Sequence, residues 1–188
     1  MATWLIVLLI LVGVMLLIGL VVVCIYNSLV RNRIRVEESF STMDVYLKKR
    51  WDLIPNLVET VKGYAKHEKE TFEKVVELRN LSYNNMNIDE KIKANRELSA
   101  GISKLIAIAE NYPELKANSN FQNLSNQLAS IENDIANSRK YYNGCVANFN
   151  MKVKSFPSNI VARMFHFETF KMYEIDNIEH RNNVKVEF

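Results

Sequence analysis

The side chains that could do chemistry in this chain are few, and they do not gather at catalytic spacing. His67 and Glu68 stand side by side in a helical pattern. No second histidine follows four residues on, which excludes the paired-histidine zinc helix of a metalloprotease. The other two histidines, His166 and His180, stand late in the chain, and three histidines with Cys145 make no metal set at ligand spacing. There is no glycine-rich phosphate loop and no G-x-S-x-G elbow. Glu37 and Glu38 are adjacent carboxylates of the kind that solvated helix faces carry. Cys145 falls on an apolar seam, where a thiol is buried and inert rather than nucleophilic. Arg50, Asp52 and His67 are the one grouping from which an enzyme could be assembled, and that reading ranks last. No catalytic residue, cofactor or metal site is expected.

Polar side chains in apolar positions are more informative. Arg50 occupies a seam position, with Asp52, Pro55 and Asn56 just after it. Arg139, Asn143 and Asn150 flank a later seam, where Tyr142-Asn143 and Phe149-Asn150 recur seven residues apart. Such groups fix helix register when buried and hydrogen-bonded, as a single seam asparagine does in coiled coils. The rival reading is a partner-binding patch. Register fixing is preferred.

The elements that position these residues read as helices throughout. Val36, Phe40, Met43, Leu47, Arg50, Ile54, Leu57, Val61 and Tyr64 alternate spacings of four and three, which draws one seam along a supercoiling helix. The stripe then slips by one and continues through Ala65, Glu68, Phe72, Val75 and Val76. Pro55 either kinks this helix or starts a new one, with Asp52 as its cap. Unbroken phase across Pro55 tilts the balance toward a kink. A polar turn follows at Leu81–Ile88, then a helix with Ile88, Ile92, Leu98, Ile102, Leu105 and Ile106, ending near Tyr112-Pro113. Asn118 can cap a last long helix, whose seam runs Phe121, Leu124, Leu128, Ile131, Ile135, Ser138, Tyr142, Cys145 and Phe149 to about Lys154. The expected fold is all-α: a transmembrane helix followed by a left-handed, up-down antiparallel bundle of three or four long helices. After Pro157 comes a short amphipathic stretch with Ile160, Val161, Met164, Phe165, Phe167 and Phe170. It either docks on the bundle, which is preferred, or lies on the membrane surface. The tail from Asn177 is expected to fray.

Before all this, residues 1–30 carry no charged side chain. Trp4 to Tyr26 exceeds the ~20 apolar residues a bilayer core requires. A cleaved signal is disfavoured by the absence of an early basic residue, by the length of the core and by the lack of a small-residue cleavage site. Arg31, Arg33 and Arg35 follow at once, which places the N-terminus outside and the rest in the cytoplasm. Trp4 and Tyr26 mark the two interfaces. Three units result: an anchor at 1–30, a bundle at 31–156, and a short amphipathic helix with its tail at 157–188. Net charge is only +3, from 24 Lys+Arg and 21 Asp+Glu, which gives no footprint for nucleic acid. Glycine and proline number five and three, which suits helices, and the two cysteines, Cys24 and Cys145, cannot meet across this topology.

Several runs carry a family resemblance. They are Tyr26-Asn-x-Leu-Val, Asp44-Val-x-Leu-Lys-Lys-Arg50, Asp52-Leu-Ile-Pro-Asn-Leu-Val-Glu-Thr-Val-Lys-Gly-Tyr64, Ile131-Glu-Asn-x-Ile135, Arg139-x-x-Tyr-Asn143 and Ser155-Phe-Pro157. With His67-Glu68, Asn120-Phe121 and Asn150, they make the chain resemble the LemA family from about Tyr26 to Phe167. Phe149 stands where that family usually has tyrosine. The resemblance implies a bacterial cell-membrane protein with one N-terminal helix, its N-terminus outside, and a cytoplasmic helical bundle. It implies no reaction. The expected function is a non-enzymatic scaffold or interaction module in contact with the bilayer, self-associating as a homo-oligomer or joining other membrane proteins. The alternative is membrane remodelling or lipid-surface binding through the bundle and its aromatic C-terminal segment.

Overall fold

The computed structural model describes residues 2–65, 73, 75–77 and 83–173. His67, Glu68, Phe72, Leu81, His180 and the tail from Asn177 lie outside the described residues.

Helix α1 runs without a break from Ala2 to Lys62. No glycine- or proline-rich linker interrupts the sequence where the apolar stretch ends, so the helical phase carries straight into the seam. Pro55 lies inside α1, not at an end. It has no N–H to give the Trp51 carbonyl, yet the helix continues beyond it, so the seam is not divided there. α1 itself stops at Lys62; of the expected continuation of the stripe, Ala65 and Val75 are buried and Val76 is 39% exposed, while Glu68 and Phe72 lie outside the described residues. The amides of Tyr64 and Ala65 both bond the Val61 carbonyl, at 3.0 and 2.9 Å. This turn lies where the seam loses phase and where Gly63 opposes helix continuation through its backbone entropy.

After a 3₁₀ turn at Tyr83–Asn85 come α2 (Ile88–Glu110), the short α3 (Pro113–Ala117), α4 (Ser119–Lys154) and α5 (Ser158–Met164). Their boundaries have local causes. Asn87 and Glu90 form a reciprocal capping box at the start of α2. Pro113 takes the first turn of α3, where its missing N–H costs nothing. Asn118 caps α4 by accepting from the Phe121 amide at 3.1 Å.

α1 and α4 pack antiparallel. Lys152 donates to Ser28 at 2.7 Å, Phe40 meets Tyr142 ring to ring at 5.7 Å, and Asn118 donates to Tyr64 at 2.9 Å. A step along one helix is thus matched by a nearly equal step back along the other. The seam residues of α1 from Val36 to Val61 are all buried, as are Phe121, Leu128, Ile135, Tyr142 and Phe149 of α4 and Leu98, Ile102 and Leu105 of α2. Tyr64, the last residue of the expected seam, is 39% exposed. The described residues are all-α, in a bundle of three long helices. Its core reaches back along α1 to Leu29.

The chain beyond α5 docks on the bundle. His166 adopts a left-handed backbone (φ 55°), while Phe167 and His166 return amide bonds to Ala162 and Arg163. This is the paired 6→1 and 5→2 closure that ends a helix sharply. It turns residues 167–173 back along α4 and sets Phe165 and Phe167 against Tyr26, with ring centroids 4.7 and 5.8 Å away.

Candidate functional site

Arg50 stands where the heptad pattern calls for an apolar residue, and it is only 1% exposed. Its Nη1 donates to Ser99 at 2.7 Å and to Glu132 at 2.6 Å. Its Nη2 donates to the backbone and side-chain oxygens of Asn95, at 2.8 and 3.0 Å. One guanidinium therefore ties α1 to α2 and α4. The rigid planar fork makes this possible, since its N–H groups point in fixed, separate directions. Nε makes no hydrogen bond among the described residues. Glu132 remains 43% exposed at its side chain, so water reaches one side of the pair.

A second polar group lies beside the first. Asp44 accepts from the Tyr83 hydroxyl at 2.6 Å and from Lys91 at 2.7 Å. The Lys91 ammonium sits 4.8 Å from the Tyr83 ring centroid, and Tyr83 tilts against Trp51 at 5.0 Å. Burial first, and then the bond to the Asp44 carboxylate, push the Tyr83 phenol far above its ordinary pKa, so it stays a donor.

The third arrangement is on α4. The Asn150 side chain accepts from the Phe170 amide at 3.0 Å and donates to the Phe170 carbonyl at 2.8 Å. Asn143 does the same to Tyr173, at 2.8 and 3.0 Å. The spacings match. Seven residues of helix rise about 10.5 Å, and three residues of extended chain span about 10 Å. Between the clamps, the Tyr142 hydroxyl donates to the Lys171 carbonyl at 3.0 Å. Arg139 lies over the Tyr173 ring at 5.7 Å.

The residues singled out from sequence therefore part company. Arg50, Asn143, Asn150 and Arg139 join α1, α2, α4 and the C-terminal strap. Asp52 is on the surface in an i,i+4 pair with Lys48, and exposed Asn56 accepts at its carbonyl from Thr60, so neither fixes register. Pro55 is half-buried within α1. Trp4 is 80% exposed, Arg33 pairs with Glu37 at 3.1 Å, and Arg31 and Arg35 are exposed. Asp44, Asn95, Ser99 and Glu132 were missed as site residues. Asn95 carried a signal, since it falls in phase between Ile92 and Leu98 on the α2 seam. Asp44 and Glu132 lay inside the runs that carry the family resemblance. Among the described residues, no group of three His, Cys, Asp or Glu is arranged to hold a metal.

All three polar arrangements lie within residues 39–188, the span matched by the LemA family model. The chain belongs to the LemA family. It is similar to Protein LemA of Metamycoplasma hominis, at 23% identity over 158 residues that cover 81% of this chain and 72% of the relative. In this LemA-family chain, the family match takes in the Arg50 cluster and both asparagine clamps and begins after the apolar stretch. Chemically, these groups hold helices and strap together. Apart from Arg50 Nε, the hydrogen-bond donors of these three arrangements are committed to acceptors of the same chain.

Proposed function

We propose that this LemA-family chain is a single-pass, non-enzymatic scaffold of the bacterial cell membrane. Its N-terminus is outside, and its bundle stands at the cytoplasmic face and self-associates. The observation that carries this reading is the unbroken course of α1 from an exposed apolar stretch into the buried seam that starts at Leu29. Large apolar side chains from Trp4 to Val21 are uncovered by protein, far beyond what a water-facing surface tolerates. Hydrocarbon suits them, and a helix satisfies its own backbone there. Arg31, Arg33 and Arg35 give the direction by the positive-inside rule. Because no flexible joint separates span from seam, the bundle keeps a set tilt and height over the bilayer, which favours organising neighbours over roaming for substrate. The enclosed Arg50 supports the same view, since its hydrogen bonds are spent on helix register.

Crosslinking in native membranes, followed by sizing in mild detergent, tests self-association. A chain that is monomeric and partner-free in both sinks it. Protease treatment of intact cells carrying a C-terminal tag tests direction, and cleavage from outside reverses it.

A second reading, lipid-surface binding by the C-terminal segment, is favoured by one feature. Phe156, Ile160 and Met164 are exposed although apolar. It is confined to that corner, because Phe167, Phe170 and Tyr173 are docked on the bundle.

A further inference from the structure

Phe156, Ile160 and Met164 recur every four residues and are 81%, 59% and 57% exposed. The opposite side of α5 buries Val161 and Ala162 against the bundle. The stripe is therefore not a misplaced core face; α5 already has its core face. Its position along α1 decides what covers it. Lys152, in the last turn of α4, reaches Ser28 at 2.7 Å, and Phe165 after α5 rests on Tyr26. Val22 and Ile25 are half-buried against the core, while Val21 and Val23 beside them are exposed. Beyond the end of α4, the element that continues in this direction is the 155–164 corner. Val22 precedes Arg31 by nine residues, about 13 Å of helix rise. The headgroup layer adds only about 5–8 Å on each side of the hydrocarbon core. The corner thus packs against turns of α1 that lie at the bilayer boundary once α1 spans.

We propose that this corner lies in the interfacial layer of the bilayer that α1 crosses, with Phe156, Ile160 and Met164 at the acyl-chain boundary and Lys154 and Arg163 at the level of the lipid phosphates. The inference rests on the anchor reading above and deepens its lipid-binding variant by naming the surface and its depth. Lipid is the occupant because anything else docking there must enter the same layer beside α1. Exposed Lys154 and Arg163 flank the stripe, with stems long enough to lift their charges to the headgroups. The bundle would then stand on two feet, a spanning helix and a short interfacial one, which restrains rotation about the α1 axis.

The test uses the full chain with Trp4→Phe and Trp51→Phe, carrying Phe156→Trp, Ile160→Trp or Tyr141→Trp. Each variant is reconstituted into phosphatidylcholine–phosphatidylglycerol vesicles with or without bromine on the acyl chains. An indole introduced at 156 or 160, held about 5–10 Å into the boundary, loses about half of its emission to brominated lipid and resists aqueous iodide. The indole at 141, on the bundle side, shows the reverse. Alkaline carbonate extraction runs in parallel. A chain released by carbonate overturns the anchor and this inference together. A chain that stays in the vesicles, with indoles at 156 and 160 open to iodide and blind to bromine, overturns this inference alone. Indoles shielded from both quenchers, with crosslinked dimers, assign the stripe to a second copy and likewise overturn it.

Discussion

Removing the more exposed member of the Arg50–Glu132 pair should do more harm than removing the buried one. Glu132→Ala leaves a cation at 1% exposure, held only by Ser99 and Asn95. Stranding a buried charge costs about 3–5 kcal/mol when both partners are enclosed. Here the guanidinium keeps its neutral acceptors, so about 3 kcal/mol is expected. Arg50→Met instead fills the seam with an apolar side chain of similar length. It leaves Glu132, 43% exposed, to water. What it loses is the bonds to Ser99 and Asn95, and Asn95 Oδ1 must find a new donor, about 1–2 kcal/mol in all. With the charge gone there is nothing to strand, so Arg50→Met/Glu132→Ala should lie near Arg50→Met alone, well short of the sum of the two single changes. The assay is urea denaturation of the full chain in micelles, followed by the fluorescence of buried Trp51 and extrapolated linearly. If Arg50→Met proves costlier than Glu132→Ala, or if the double variant is additive, the buried cation is not what the helices are built around.

Asn150→Ala should remove the two bonds to Phe170, about 1 kcal/mol each, and expose its amide to hydrogen exchange. Asn143→Ala should do so at Tyr173, and unchanged protection in both would mean that packing alone holds the strap. Burial, and then the Asp89 carboxylate, push the Tyr142 phenol up to about 12, and Tyr83 is raised as well. Above pH ~10 the unfolded chain gives up these protons and the folded chain keeps them. Their contribution is therefore complete below that pH and is lost as pH climbs toward 12. Absorbance of phenolate at 295 nm should show these two rings ionising only as the fold opens, and early, reversible ionisation of all tyrosines would contradict this. Gly144→Ala meets nothing within 4 Å on α4 and should stabilise by about 0.5–1 kcal/mol. Gly101→Ala would bring a methyl to 2.8 Å from Val75 Cγ2 and should show no such gain in thermal denaturation. Equal gains at both sites would mean that Val75 moves aside freely.

Much of the architecture was legible in the chain because helical seams are written in spacing. Every residue of the alternation from Val36 to Val61 is buried, though Ser39, Trp51 and Val58 beside it are buried too; Asn118 marked where α4 begins, and Pro113 marked the end of α2 but not the short α3 that it opens. The seam in α1 did not reveal that the helix would end at Lys62, since a one-residue slip can be absorbed by a helix or can end it, and neighbouring packing chooses. The polar site was half visible. Arg50 was conspicuous as a charge in an apolar row, and Asn143 and Asn150 as a pair seven apart. Their partners were not, because Ser99, Glu132 and the backbone of Phe170 and Tyr173 lie 20 to 82 residues away along the chain.

Periodicity and charge therefore determine the local things: which stretches are helical, which face of each is apolar, where the lipid-compatible segment stops, and that helices must pair. They act through neighbours three, four or seven residues apart, which one strand of letters contains. What the guanidinium of Arg50 binds, that Asp52 only meets solvent and Lys48, and that one face of the C-terminal corner is covered while Phe156, Ile160 and Met164 are not, depends on the rotation of each helix about its axis and on the register between α1 and α4. A turn of 100° per residue carries a side chain from seam to surface, and only the packed bundle sets that angle.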